Sequence, residues 1–194
     1  MALELDKMHT SAAKAERVAD GTYMARISSV IELGVQPMTD YQTKEPTAPK
    51  PRLLITWELP TETMSIEHND GTVEELPRLI SKEYTASAHE KANLTKLIAA
   101  LKPGIKSLTE LLDLTCMLSV GSTSTGNAKV ANVVPSMKGM PVPELSREAY
   151  SFDFDAPDEE TFLLMPPWIR TKLIDAENYT GFAAAWGVQE EAAA

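Results

Sequence analysis

From Gly21 the chain alternates: Tyr23, Ala25, Ile27, Ile31 and Leu33 interleave with Met24, Arg26, Ser28, Val30 and Glu32. A period of two puts one face of a strand on a core and the other toward solvent. The run is long enough to curve around a barrel, and Gly34 marks its end or a bulge. Residues 35–51 carry Pro37, Pro46, Pro49 and Pro51 and read as a long irregular loop, since proline removes a backbone donor. RLLITWEL predicts a second strand with Leu53, Ile55, Trp57 and Leu59 on one face. A polar insert over residues 60–75 holds the turn signal Asn69-Asp70-Gly71. LPRLISKEYT, residues 76–85, predicts strand three.

A helix is predicted next. Ser87 is its candidate N-cap, with Glu90 three residues on as the capping-box partner. Ala88, Ala92, Leu94, Leu97, Ile98 and Leu101 form its apolar stripe, and Pro103-Gly104 stops it. A short helical turn follows near residues 107–112. Strand four, LDLTCMLSV, points Leu112, Leu114, Cys116, Leu118 and Val120 inward. The turn GSTSTGN leads to strand five, AKVANVVPSM, as a hairpin. Five short strands with one helix between the third and fourth match the order of the five-stranded Greek-key barrel of the oligonucleotide-binding (OB) fold. The pattern alone also permits another small α+β fold.

Beyond residue 140 the composition shifts. Pro141 and Pro143 read as a linker, YSFDFDAPDEE is acidic with interleaved aromatics, and a short helix is predicted at 167–175, starting at Pro167. The final AAAWGVQEEAAA reads as frayed. The expected organisation is an N-terminal arm over 1–20, a barrel over 21–140 and an acidic C-terminal extension over 141–194.

Charge sharpens this division. The formal net charge of the 194 residues is −10. Residues 1–140 hold 15 Lys+Arg against 17 Asp+Glu, a net of −2, whereas residues 141–194 hold 3 against 11, a net of −8. The overall balance opposes phosphate binding over the whole surface, but a near-neutral body can still carry a local basic groove. The single cysteine, Cys116, excludes an intramolecular disulfide and suits a reducing compartment. The N-terminal residues contain no apolar signal-like stretch, and no apolar run approaches the ~18 residues that span a bilayer. The expectation is a cytoplasmic protein with no membrane contact.

Two strings are specific enough to carry a resemblance: LISKEYTASAHEKANLTKLI at residues 79–98 and LLDLTCMLSVGSTSTGNAKVANVVPSMKG at 111–139. With the opening GTYMARISSVIELGVQ and the late LMPPWIR, they make the chain similar to bacteriophage single-stranded-DNA-binding proteins of the OB fold, over about residues 20 to 175. One feature departs from that family. Where its members often carry Trp-Arg-Gly after the helix, this chain reads Leu101-Lys102-Pro103-Gly104. The resemblance implies a protein that coats single-stranded DNA during replication or recombination, in the host cytoplasm if phage-encoded. It also implies an acidic C-terminal segment that docks replication or recombination proteins and competes with DNA for the groove. Homo-oligomers are a further expectation from the class.

Single-strand binding needs cations along the phosphates and aromatic faces for the bases. The candidate cations are Arg26, Lys44, Lys50, Arg52, Arg78, Lys82, Lys129 and Lys138, and the candidate stacking residues are Tyr41, Trp57 and Tyr84. Trp57, like Tyr23, lies on the apolar phase of its strand, where core packing is the competing role. Candidate partner-binding residues in the extension are Phe152, Asp153, Phe154, Asp155, Asp158, Glu159, Glu160 and Trp168. A solubilising role for these acids, or packing of Trp168 on the barrel or on a neighbouring subunit, is the alternative.

Catalytic and metal patterns are missing from the sequence. His9, His68 and His89 lack ligand spacing with one another or with Cys116, and neither a GxxxxGK nor a GxGxxG loop is present. No cofactor and no enzymatic activity are expected. The competing function class is an acidic protein-interaction module, either a phage assembly component or a DNA-mimicking inhibitor of a host enzyme.

Overall fold

The computed structural model describes residues 17–40, 42–67 and 71–188. The N-terminal arm up to residue 16, Tyr41, the Asn69-Asp70 pair of the expected turn and residues 189–194 lie outside the described residues. The protein is mainly β. Among the described residues the strands are β1 (Gly21–Thr39), β2 (Pro46–Glu67), β3 (Val73–Thr85), β4 (Thr115–Ser122), β5 (Ala128–Pro135) and β6 (Tyr150–Phe152). The helices are α1 (Asn93–Leu101), α2 (Glu159–Leu164), α3 (Pro167–Ile174) and α4 (Phe182–Ala185). The sheet runs in the order β3-β2-β1-β4-β5, and β6 also pairs with β1. All pairings are antiparallel except that of β6. Among the described residues no helix is long and apolar enough to cross a membrane.

β1 organises the molecule because it is much longer than β4. One of its edges pairs with β2 from Arg26 to Thr39. The other pairs with β4 only from Gly21 to Arg26. Beyond that point the backbone groups of β1 would form an open edge. β6 covers it in parallel, setting Ser29, Val30 and Ile31 against Tyr150, Ser151 and Phe152. The extension thus continues the sheet where β4 stops.

Side chains follow the same logic. Ala25 and Ile27 enter a first core with Leu53, Ile55, Trp57 and Leu59 of β2, Cys116 and Leu118 of β4, and Leu94 and Leu97 of α1. A bulge between Ile27 and Ser29 then shifts the phase of β1. Val30, expected on the polar side, enters the first core. Ile31 and Leu33, expected to continue the face of Ile27, turn instead to the opposite side of the sheet. There they meet Leu54, Phe152, Phe154, Phe162, Met165, Ile169 and Leu173 in a second core. The sheet is therefore covered on both faces.

The extension is fastened as well as packed. Gly34, at φ +70°, leaves room that a Cβ would fill only by approaching the Phe154 ring and the Asn178 side chain to 2.7 Å. Asn178 Oδ1 accepts from Val35 N at 2.7 Å, and Glu177 N donates to Val35 O at 2.9 Å. The buried Gln36 amide donates to Lys172 O at 2.8 Å, capping one of the free carbonyls near the end of α3. Phe182 of α4 lies at ring-centroid distances of 4.8 to 5.9 Å from Tyr179, Trp186, Phe154, Phe162 and Phe152. Of the final segment expected to fray, the described residues pack on the second core, with Ala183 buried beside Phe182 and with Trp186 and Val188 partly buried.

Three local expectations change for identifiable reasons. The proline loop is instead a hairpin, because β1 reaches Thr39 and β2 begins at Pro46. Its prolines are tolerated because β3 pairs with β2 only from Arg52 onward, so residues 46–51 are an edge that needs few donors. The polar insert at 60–75 is mostly strand, since Thr63–Glu67 pairs with Val73–Pro77. The helix begins at Asn93 rather than after Ser87. The Ser87 hydroxyl accepts from His89 N, forming a local turn that competes with helix. The expected capping box instead occurs at Ser107 and Glu110, on the 3-10 turn Leu108–Leu111.

Because both cores share β1 and β2, they should unfold together. Phe182→Ala should cost about 3–5 kcal/mol, the usual range for removing a buried Phe, and should lower one common transition in a thermal melt. A first-core transition left at its original temperature would show that the two cores are independent.

Candidate nucleic-acid interface

The predicted cations separate into two groups. Arg26 and Arg52 belong to the internal structure. Arg26 donates to Pro143 O at 2.6 Å and Val142 O at 3.0 Å and pairs with Asp113 at 2.7 Å, which pins the linker to β1. Arg52 donates to Thr85 Oγ1 at 3.0 Å and Glu83 Oε2 at 3.2 Å. Neither is an exposed phosphate contact. Lys44 and Lys50 are exposed on the β1–β2 hairpin, whereas Lys129 and Lys138 are exposed on β5 and just after it. Arg78 Nε donates to Thr63 O at 3.1 Å within the β2–β3 arm.

Lys82 lies between these groups. It shares a strand face with Ile80 and Tyr84, which point into the first core, and its Nζ donates to Val130 O of β5 at 3.0 Å. This contact bridges β3 and β5, the two ends of the sheet. Burial, with the nearby positive charge of Lys129, lowers the Lys82 pKa.

The predicted stacking residues do not form a platform. Trp57 is fully buried and Tyr84 nearly so, their rings meeting edge to face at 6.5 Å. Neither offers a face to a base. The Trp57 indole N–H lies near the Cys116 sulfur without hydrogen-bond geometry. Burial pushes the Cys116 thiol up to about 12, consistent with a core role. Tyr41 is outside the described residues.

The extension residues also divide. Phe152 and Phe154 are buried in the second core and present no surface to a partner. Asp158 caps α2 by accepting from Thr161 N at 2.8 Å, with Glu159 and Glu160 in the first helical turn, where carboxylates favour the helix dipole. Asp153 closes a turn by accepting from Asp155 N at 2.9 Å. All five acids are nevertheless exposed. Asp153 and Asp155 crowd Glu32 on β1, whose pKa is raised first by burial and then by these charges.

What these placements leave open is a cleft of ≈ 530 Å³ between the outer face of β1–β3 and the extension. Its floor is polar. Thr56 Oγ1 and Ser81 Oγ share a 2.9 Å hydrogen bond, and Ser28 Oγ donates to Thr56 O at 3.2 Å. The buried Glu58 carboxylate accepts from Ser146 N at 2.8 Å and Ser146 Oγ at 2.7 Å. The rim is apolar and exposed: Leu79 59%, Leu164 64% and Trp168 48%. Sequence reasoning missed the floor, although a signal was present. Thr56 and Glu58 are the polar residues of an otherwise apolar β2 run.

One ionic node ties this cleft wall to the sheet. Glu83 accepts from Lys172 Nζ at 2.6 Å and from Arg52 at 3.2 Å. Burial works to raise its pKa, but the Lys172 and Arg52 contacts outweigh it and hold the carboxyl below its ordinary value. Compared with protein-family models, with curated proteins and with solved structures, the chain matches none.

A carboxyl depressed in the folded state stabilises above its unfolded pKa, and that contribution disappears as pH falls through the folded value. Glu83→Gln should therefore destabilise by about 1 kcal/mol at pH 7, a modest figure because the node is partly exposed. The gap between variant and wild type in thermal melts should close as pH drops below the ordinary 4.5. A gap of unchanged size at pH 3 would contradict the ionic role.

Proposed function

We propose that this chain is a single-stranded-DNA-binding protein of bacteriophage type, coating DNA with low sequence preference during replication or recombination. On this reading the barrel is the five-stranded OB fold. Its support is the order β3-β2-β1-β4-β5, the helix between β3 and β4, and the Lys82 contact that draws β3 toward β5. A fold alone does not define an activity. The observation that carries the proposal is the open cleft on the outer face of β1–β3, since strands two and three form the ligand face of this fold. The resemblance of residues 79–98 and 111–139 to phage single-strand binders points the same way.

In this account the exposed Lys44 and Lys50 on the β1–β2 hairpin and Lys129 after the β4–β5 turn supply phosphate contacts. The exposed Asp153, Asp155, Glu159 and Glu160 are available to basic replication or recombination partners, and the site of action is the host cytoplasm. The same exposed acids favour the second reading, an acidic interaction module with no affinity for nucleic acid.

A fluorescence-anisotropy titration of labelled oligo-dT, about 30 nucleotides long, separates the two. The expected result is binding that prefers the single strand to matched duplex and weakens with salt. Replacing Lys44, Lys50 and Lys129 together by alanine should flatten the salt dependence by about 2 logarithmic units per decade, at ~0.7 per lost phosphate contact. Absence of binding at low salt would favour the interaction module.

A further inference from the structure

Resting on the single-strand reading above, we infer that the cleft receives an unpaired nucleobase, stacked on Trp168, so that the C-terminal extension is one wall of the DNA site. The chemistry of the lining selects this occupant. A base has flat apolar faces and a hydrogen-bonding edge. The cleft has an exposed indole with Leu79 and Leu164 at its rim, and the hydroxyls of Thr56 and Ser81 beneath them. Its volume of ≈ 530 Å³ lies within the range of about 300–1,000 Å³ that small-molecule sites occupy.

Charge decides which part of a nucleotide enters. Glu58 and Glu148 are both in the lining, and their negative charge disfavours a phosphate drawn inside. Glu58 makes two hydrogen bonds to Ser146 and retains acceptor capacity for a base N–H. Arg147, which is exposed and also in the lining, is the cation available to the phosphate backbone at the cleft. A paired base is excluded because entry requires unstacking and unpairing. The cleft would therefore itself generate a preference for single strands.

The indole is held ready for this task. Pro166 precedes α3 and Pro167 occupies its first position, which fixes the backbone before binding. Ile169, the next residue after Trp168, is buried in the second core. Trp168 is thus an exposed aromatic on a rigid mount, unlike Trp57, which is fully enclosed.

The test uses the full chain and oligo-dT, read by anisotropy and by intrinsic tryptophan fluorescence. The inference expects DNA to quench emission in the wild type. Trp168→Ala should remove most of that quenching and weaken binding roughly tenfold or more. Trp168→Phe, which keeps an aromatic face, should restore most of the affinity. Ser81→Leu, which fills the floor while keeping the indole, should weaken binding comparably, and thermal melts of each variant establish folding. Wild-type binding without quenching, together with unchanged affinity in Trp168→Ala and Ser81→Leu, would overturn the base cleft while leaving single-strand binding intact. No wild-type binding at low salt would overturn both readings.

Discussion

The structure depends on a mismatch within one strand. β1 spans 19 residues and β4 only 8, so a second partner is needed once their pairing ends. The bulge after Ile27 adds a second demand by turning Ile31 and Leu33 away from the first core. Unpaired backbone groups and uncovered apolar side chains both carry a free-energy cost. One segment, residues 150–186, meets both demands. β6 supplies the ladder, while Phe154, Phe162, Met165, Ile169, Leu173 and Phe182 supply the cover.

This solution also shapes the surface. The extension covers the outer face beside Ile31, Leu33 and Leu54 but leaves a cleft lined in part by Thr56, Glu58 and Ser81. The cleft arises from that partial coverage, with sheet below and extension at the side. Its hydroxyls and apolar rim come from segments far apart in the sequence, brought together by the same packing that stabilises the fold. The Glu83 node with Arg52 and Lys172 joins the sheet to α3, so the wall carrying Trp168 is fixed by packing and by charge.

Much of the sheet was legible because its strands obey simple alternation. Leu53, Ile55, Trp57 and Leu59 share a buried face, as do Cys116, Leu118 and Val120, and α3 begins at Pro167 as expected. What escaped was non-local. Ser87 has the residue type of a cap, but its hydroxyl is used in a turn. Pro46, Pro49 and Pro51 read as loop because the sequence does not reveal which edge lacks a neighbour. Phe152 and Phe154 looked like partner contacts because Asp153 and Asp155 alternate with them. That alternation in fact marks a segment with one buried face, which packs against Ile31 and Leu33 of β1. Arg26 and Arg52 read as groove cations because their acceptors lie 31 to 117 residues away.

The central claim is that the acidic extension is part of the folded body. Hydrogen exchange followed by mass spectrometry tests it most directly, because amide protection reports the free energy of opening segment by segment. The account predicts that residues 150–152 and 159–174 exchange as slowly as the β1 and β2 amides they pair with or cover. Rapid exchange throughout 150–186 beside a protected β1–β5 sheet would contradict it, and would return the extension to the status of a separate tail.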